Sequence, residues 1–118
     1  MTTTKTILPK TDITGSSVSG TFSQSGLFNG GRITDVSVTD AAWAALPAAP
    51  LGNRNAISIQ NPSGASIKLN YDPLTVGYVG ITIASGGERM YVITDSIQVY
   101  AKAEAGAGTV TITVEEIS

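Results

Sequence analysis

From residue 33 onward the large apolar side chains tend to alternate with polar ones, and turn-forming residues interrupt them at near-regular intervals. Ile33, Val36 and Val38 open the first extended stretch. Residues 56–60 (Ala-Ile-Ser-Ile-Gln) and 67–71 (Ile-Lys-Leu-Asn-Tyr) alternate strictly. Stretches 78–83, 89–93, 97–101 and 109–115 continue the pattern, and Trp43 and Leu46 mark a short extended piece closed by Pro47 and Pro50. A period of two sends successive side chains to opposite faces of a sheet, so the alternation predicts half-buried strands with Ser58, Lys68, Thr82, Gln98, Thr111 and Thr113 outward. Between the stretches lie Asn61-Pro62-Ser63-Gly64, Asp72-Pro73, Ser85-Gly86-Gly87, Thr94-Asp95-Ser96 and Gly106-Ala107-Gly108. Pro62 presets its φ for a turn, and Gly64 is expected to supply a positive one. No segment sustains an apolar period of 3.6. Residues 41–46 have some helical propensity, but their brevity and Pro47 argue against a helix. About eight short strands with turn chemistry between them predict an all-β domain, an antiparallel sandwich or small barrel, over residues 33–118.

Residues 1–32 follow a different pattern. Ser, Thr and Gly dominate, and only Ile7, Leu8, Ile13, Val18, Phe22, Leu27 and Phe28 are large and apolar. Such a segment cannot bury enough surface to fold alone. It reads as a tail or as an arm that orders against a neighbouring subunit. Two Phe and a Leu favour the arm, with Ile7, Leu8, Phe22, Leu27 and Phe28 as its anchors.

Composition narrows the chemistry. The chain has no His and no Cys, which removes the usual base near neutral pH, the usual soft metal ligands and the strongest common nucleophile. Charged residues make up 14%, against a typical value of about 25%. A surface so weakly charged is covered by another protein at low desolvation cost. The net charge of −2 and the scattering of the seven basic residues argue against nucleic acid. The longest apolar block, 41–49, is far shorter than the ~20 residues of a membrane span. No secretory leader is visible at the start of the chain, so synthesis in the cytoplasm is expected.

No catalytic constellation emerges. The Gly pairs at 30–31 and 86–87 and the Gly106-Ala107-Gly108 turn lack the Lys and Ser/Thr of a phosphate loop. Glu115 and Glu116 are adjacent, so on a strand they point to opposite faces. Asp72, Glu88 and Asp95 sit in or beside turns. Tyr71, Tyr78, Tyr91 and Tyr100 read as core-edge packing with their hydroxyls at the rim. Arg54 carries a rigid fork of donors suited to a carboxylate, with Glu115 or Glu116 as a possible partner, and it could tie a loop or a subunit; the alternative is an exposed side chain. The expectation is therefore no enzyme, no cofactor and no metal.

The run Trp43-Ala-Ala-Leu46-Pro47, the segment Leu51-Gly-Asn-Arg54-Asn55-Ala-Ile-Ser-Ile-Gln60-Asn61 and Ile67-Lys-Leu-Asn-Tyr71 resemble small virion structural proteins of tailed bacteriophages. Gly77-Tyr-Val-Gly-Ile81, Gly86-Gly-Glu-Arg89, Ile97-Gln-Val-Tyr100-Ala101 and Thr111-Ile-Thr-Val-Glu115-Glu116 extend the likeness over residues 36–118. The resemblance implies a jelly-roll-like sandwich acting as a capsid decoration (cement) protein, or as a neck or tail accessory. It implies a virion location and a homo-oligomer, a trimer foremost, bound to the major capsid protein or other virion proteins. It brings no active-site residues. Ile7, Leu8, Phe22, Leu27, Phe28 and Arg54 are the expected subunit and capsid contacts. A carbohydrate- or receptor-binding module of a tail or fibre is the alternative.

Overall fold

The computed structural model describes residues 30–118. The expected anchors Ile7, Leu8, Phe22, Leu27 and Phe28 lie outside the described residues. Eight strands and no helix make up the described chain: β1 (Gly31–Thr39), β2 (Ala44–Ala45), β3 (Ala56–Gln60), β4 (Ile67–Asn70), β5 (Ile81–Ile83), β6 (Glu88–Tyr91), β7 (Tyr100–Ala103) and β8 (Thr109–Ile117). They form two antiparallel four-stranded sheets, ordered β1-β8-β3-β6 and β2-β7-β4-β5. The pairing is nested: β1 with β8, β2 with β7, β3 with β6 and β4 with β5. Rolling up one long hairpin produces this order, which is compatible with the jelly-roll-like winding expected from the resemblance.

Alternation decides which side chains meet. On the first sheet the inner face carries Val36 and Val38 of β1, Ile57 and Ile59 of β3, and Ile112 and Val114 of β8. Ile67 and Leu69 of β4, Ile83 of β5, and Ala101 and Ala103 of β7 oppose them from the second sheet. Each fully buried Ile or Leu removed to Ala would cost about 2–5 kcal/mol, so these few side chains account for much of the fold's stability.

Several boundaries differ from the alternation. β1 opens at Gly31, so residues 31 and 32 belong to the sheet rather than to the arm. Residues 78–80 are not strand; β5 starts at Ile81, because the chain is still crossing the sheet surface at Gly80. β7 begins at Tyr100 and runs to Ala103, later than the expected 97–101. Gly64 does not take a positive φ; those occur at Asn53, Gly77, Gly86, Gly106 and Gly108. The 61–65 turn is held instead by the buried Asn61 side chain. Its Oδ1 accepts from the Ser63 amide (3.2 Å), and its amide nitrogen donates to Ala65, Ile83 and Ala84 carbonyls. Residues 41–46 form no helical turn, and Ala44 and Ala45 pair with Ala101 and Tyr100.

Candidate docking loop and a buried ion cluster

The β4–β5 connection, residues 71–80, lies across the outer face of the second sheet and is tied down along its length. Asp72 Oδ1 accepts from the Leu74 amide at 2.9 Å, closing the turn that Asp72-Pro73 announces. Trp43 Nε1 donates to the Thr75 carbonyl at 2.9 Å, and Lys102 Nζ to the Gly77 carbonyl at 3.0 Å. The Tyr78 hydroxyl donates to the Asp40 carbonyl at 2.9 Å, and Asn70 Nδ2 to the Val79 carbonyl at 2.8 Å. Gly77 adopts φ +75°, which few other residues tolerate, and a Cβ at Gly80 would collide with the Leu69 carbonyl oxygen.

Lys102 explains why the loop crosses here. On β7 its side chain stands on the outer face beside Lys68 of β4, two like charges directly opposed. The loop compensates one of them. Lys102 Nζ sits 4.6 Å from the Tyr78 ring centre and 5.8 Å from that of Trp43, so two aromatic faces and a carbonyl replace its water. Lys68 Nζ donates to Thr82 Oγ1.

With its backbone fixed, the loop turns its large aliphatic side chains outward: Leu74 is 84% exposed, Val76 88% and Val79 68%. Three such residues on one connection expose apolar surface of the kind that can mark a contact site. The sequence reading passed over this loop. The available signal was a run of apolar residues between the Asp72-Pro73 break and Gly80, where a solvated loop would carry polar ones.

At another place the structure does the reverse and encloses charge. Glu116 ends the inner face of β8 and is fully buried. Arg54 Nη1 donates to its Oε2 at 2.9 Å, the Leu51 amide donates to the same oxygen at 3.0 Å, and Arg32 Nη2 donates to Oε1 at 2.6 Å. Arg54 Nη2 reaches on to the Thr94 and Ile97 carbonyls at 2.8 and 2.7 Å. Four segments, β1, β8, the β2–β3 loop and the β6–β7 loop, are thereby joined through one carboxylate. Burial by itself would raise the Glu116 pKa; the Leu51 amide and the two guanidinium groups outweigh it and hold the pKa below the usual carboxylate value.

This corrects one expectation. Arg54 selects Glu116 rather than Glu115, and it is neither exposed nor at a surface that another subunit or a shell could touch. Its two terminal nitrogens are engaged inside its own chain, because loops 47–55 and 92–99 meet there and leave carbonyls that need a donor, while its buried Nε has no partner. Arg32, which the sequence reading left unassigned, is the second cation.

The tyrosines divide. Tyr91 packs against the core, as expected, whereas Tyr71 is largely exposed and meets Tyr91 edge to face at 6.3 Å. Burial and the neighbouring Tyr91 push the Tyr71 hydroxyl pKa up. Arg89 lies over the Tyr91 ring at 5.2 Å. An open cleft of about 380 Å³ at Gln60, Asn61, Pro62, Gly86, Gly87 and Glu88 carries a single carboxylate, and that one accepts from Ser58 Oγ at 3.1 Å. Among the described residues no three His, Cys, Asp or Glu side chains gather as a metal site. No helix among the described residues is long and apolar enough to cross a membrane.

Compared with known proteins, the chain matches no family model, no curated protein and no solved structure.

Proposed function

We propose that the chain is a virion structural protein that binds the outside of a capsid as a symmetric oligomer, in the manner of a decoration protein. The observation that carries the reading is the 71–80 loop. It is fixed by five side-chain tethers, yet it displays Leu74, Val76 and Val79 to water. A fixed backbone lowers the ordering entropy that a docking loop must overcome, and burying each aliphatic contributes about 1.5–3 kcal/mol. Copies joined in an oligomer add such contacts by multivalency, so each one can be weak. The nested sandwich supports the same reading as a rigid platform, as does the binding of the fully buried Glu116 carboxylate to two guanidinium groups, where it is not free to move protons.

The test is direct. Purified protein is offered to particles of the encoding phage that lack it, and bound protein is measured after sedimentation. Wild type should co-sediment, and Leu74→Asp with Val76→Asp should not, although it melts at the same temperature. Undiminished binding by the double variant removes the loop from the interface, and failure of wild type to bind any such particle removes the capsid role.

One observation favours a second reading, a carbohydrate- or receptor-binding module: Tyr71 and Tyr91 stand together beside Arg89, with Tyr71 open to solvent. Glycan-array binding abolished by Tyr71→Ala would establish it.

A further inference from the structure

The outer face of the β1-β8-β3-β6 sheet has an unusual composition. Register places Ile33, Glu115, Ser58 and Met90 in one row across all four strands. The next row toward the end of the sheet holds Gly31, Ile117 and Ala56, and Val92 follows just beyond β6. Ile33 is 69% exposed, Met90 65% and Val92 87%. Further along the same face stand Asp35 and Glu88. The patch thus combines exposed aliphatics with three carboxylates, Asp35, Glu88 and Glu115, and the face carries no Lys or Arg. Arg32 and Arg89 have the opposite parity on their strands.

Residues 1–29 have the complementary composition. They contain Phe22, Leu27 and Phe28, and their charged side chains are Lys5, Lys10 and Asp12, a net of +1. They join the body at Gly30, at the edge of this same apolar row. There the Gly30 amide donates to the Ser118 carbonyl at 3.3 Å, and the Ser118 amide donates to the Gly30 carbonyl at 2.9 Å. The chain is therefore still running as a ladder-paired strand, directed past the end of its own sheet. To lie on its own outer face it would have to reverse within the few residues before Gly30. A reversal takes about four residues, and these include Leu27 and Phe28. The strand direction at Gly30 thus leads off the end of the sheet rather than back across its outer face.

We infer that residues 1–29 of one copy dock on the outer face of the β1-β8-β3-β6 sheet of a second copy. Phe22, Leu27 and Phe28 cover Ile33, Met90 and Val92, and Lys5 and Lys10 face its carboxylates. The inference rests on the oligomeric part of the reading above and not on its capsid part. It is tested on purified protein, so its failure leaves the docking of the 71–80 loop untouched.

The experiment is complementation between two full-length variants, read by sedimentation. An arm variant carries Phe22→Asp, Leu27→Asp and Phe28→Asp; a face variant carries Met90→Lys and Val92→Lys. Each should self-associate at least about a hundredfold more weakly than wild type. Each should also keep the wild-type circular dichroism spectrum, since the altered face residues are exposed. Their equimolar mixture should form a two-chain species, because an intact arm meets an intact face once. Because the chain has no Cys, the pair Leu27→Cys with Val92→Cys gives a second readout: oxidation should join two chains rather than close one. A monomeric wild type, undiminished association of either variant, a mixture that stays monomeric, or an intrachain crosslink would each overturn the inference.

Discussion

The Glu116 cluster places charged side chains inside the protein, and the 71–80 loop places aliphatic ones outside it. Each arrangement is unfavourable on its own. A buried ion is tolerated only when every part of it finds a partner, and Glu116 achieves this with two guanidinium groups and an amide. An exposed aliphatic has no partner within the chain, and Leu74, Val76 and Val79 have none. Both regions nevertheless hold their backbones firmly. The carboxylate finds all its partners in one molecule, Arg54 Nε alone being left without one, and the cluster ties two loops to two strands. The loop is equally fixed but leaves its aliphatic side chains uncovered, which is what the docking role proposed above requires. Charge enclosed and satisfied marks a structural joint; apolar surface displayed on a fixed backbone marks a binding surface.

Removing Glu116 should break this contrast most sharply. Glu116→Ala leaves Arg54 buried without its counter-ion, and a loss of about 3–5 kcal/mol in urea unfolding is expected. A loss under about 1 kcal/mol would mean that the cluster is not a joint. Gly80→Ala comes next. Its Cβ meets the Leu69 carbonyl oxygen, and overpacking of this kind costs about 1–3 kcal/mol. The variant should also displace the loop and weaken particle binding, linking fold and docking in one substitution.

Acid should act on the first region through Glu116. The folded-state pKa of Glu116 is lowered, so its contribution is fully present above its ordinary value near 4.5 and is lost as pH falls through the depressed folded value. Unfolding midpoints followed from pH 7 down to 2 should fall more steeply in wild type than in Glu116→Gln. Parallel curves would remove the cluster as the source. Trp43→Phe keeps the ring and deletes the donor to Thr75, which should lower stability by about 1 kcal/mol and speed amide exchange over residues 73–79. Smallest of all, Val76→Asp should change stability by no more than about 0.5 kcal/mol while reducing particle binding. A large change in stability there would show the loop to be part of the core.

The strands were legible because alternation is a local signal. Residues 56–60 and 67–70 lie where the period of two places them, and the inward set Ile57, Ile59, Ile67 and Leu69 follows from it. The stretch 78–83 misled because Tyr78 and Val79 have strand-like side chains, while Gly80 and the tether to Lys102 keep that backbone on the sheet's surface. Arg54 and a carboxylate of the last strand could be paired from residue type, and the choice of Glu116 follows from its inward parity on β8. Its burial could not be foreseen, since it depends on where two loops distant in sequence meet. The exposed apolar loop was missed for a related reason: exposure is a property of the assembled fold, and Leu74 and Val76 look like core residues until the surface beneath them is known to be a sheet's outer side.

The Gly30–Ser118 pair has a practical consequence. The two are hydrogen-bonded neighbours, so a tag or fused domain attached after Ser118 would emerge beside the root of residues 1–29 and crowd it. The Gly106–Gly108 turn, anchored by Asp40, lies at the far end of the nine-residue β8, about 30 Å away. Cargo inserted at that turn would leave the opposite pole of the molecule clear.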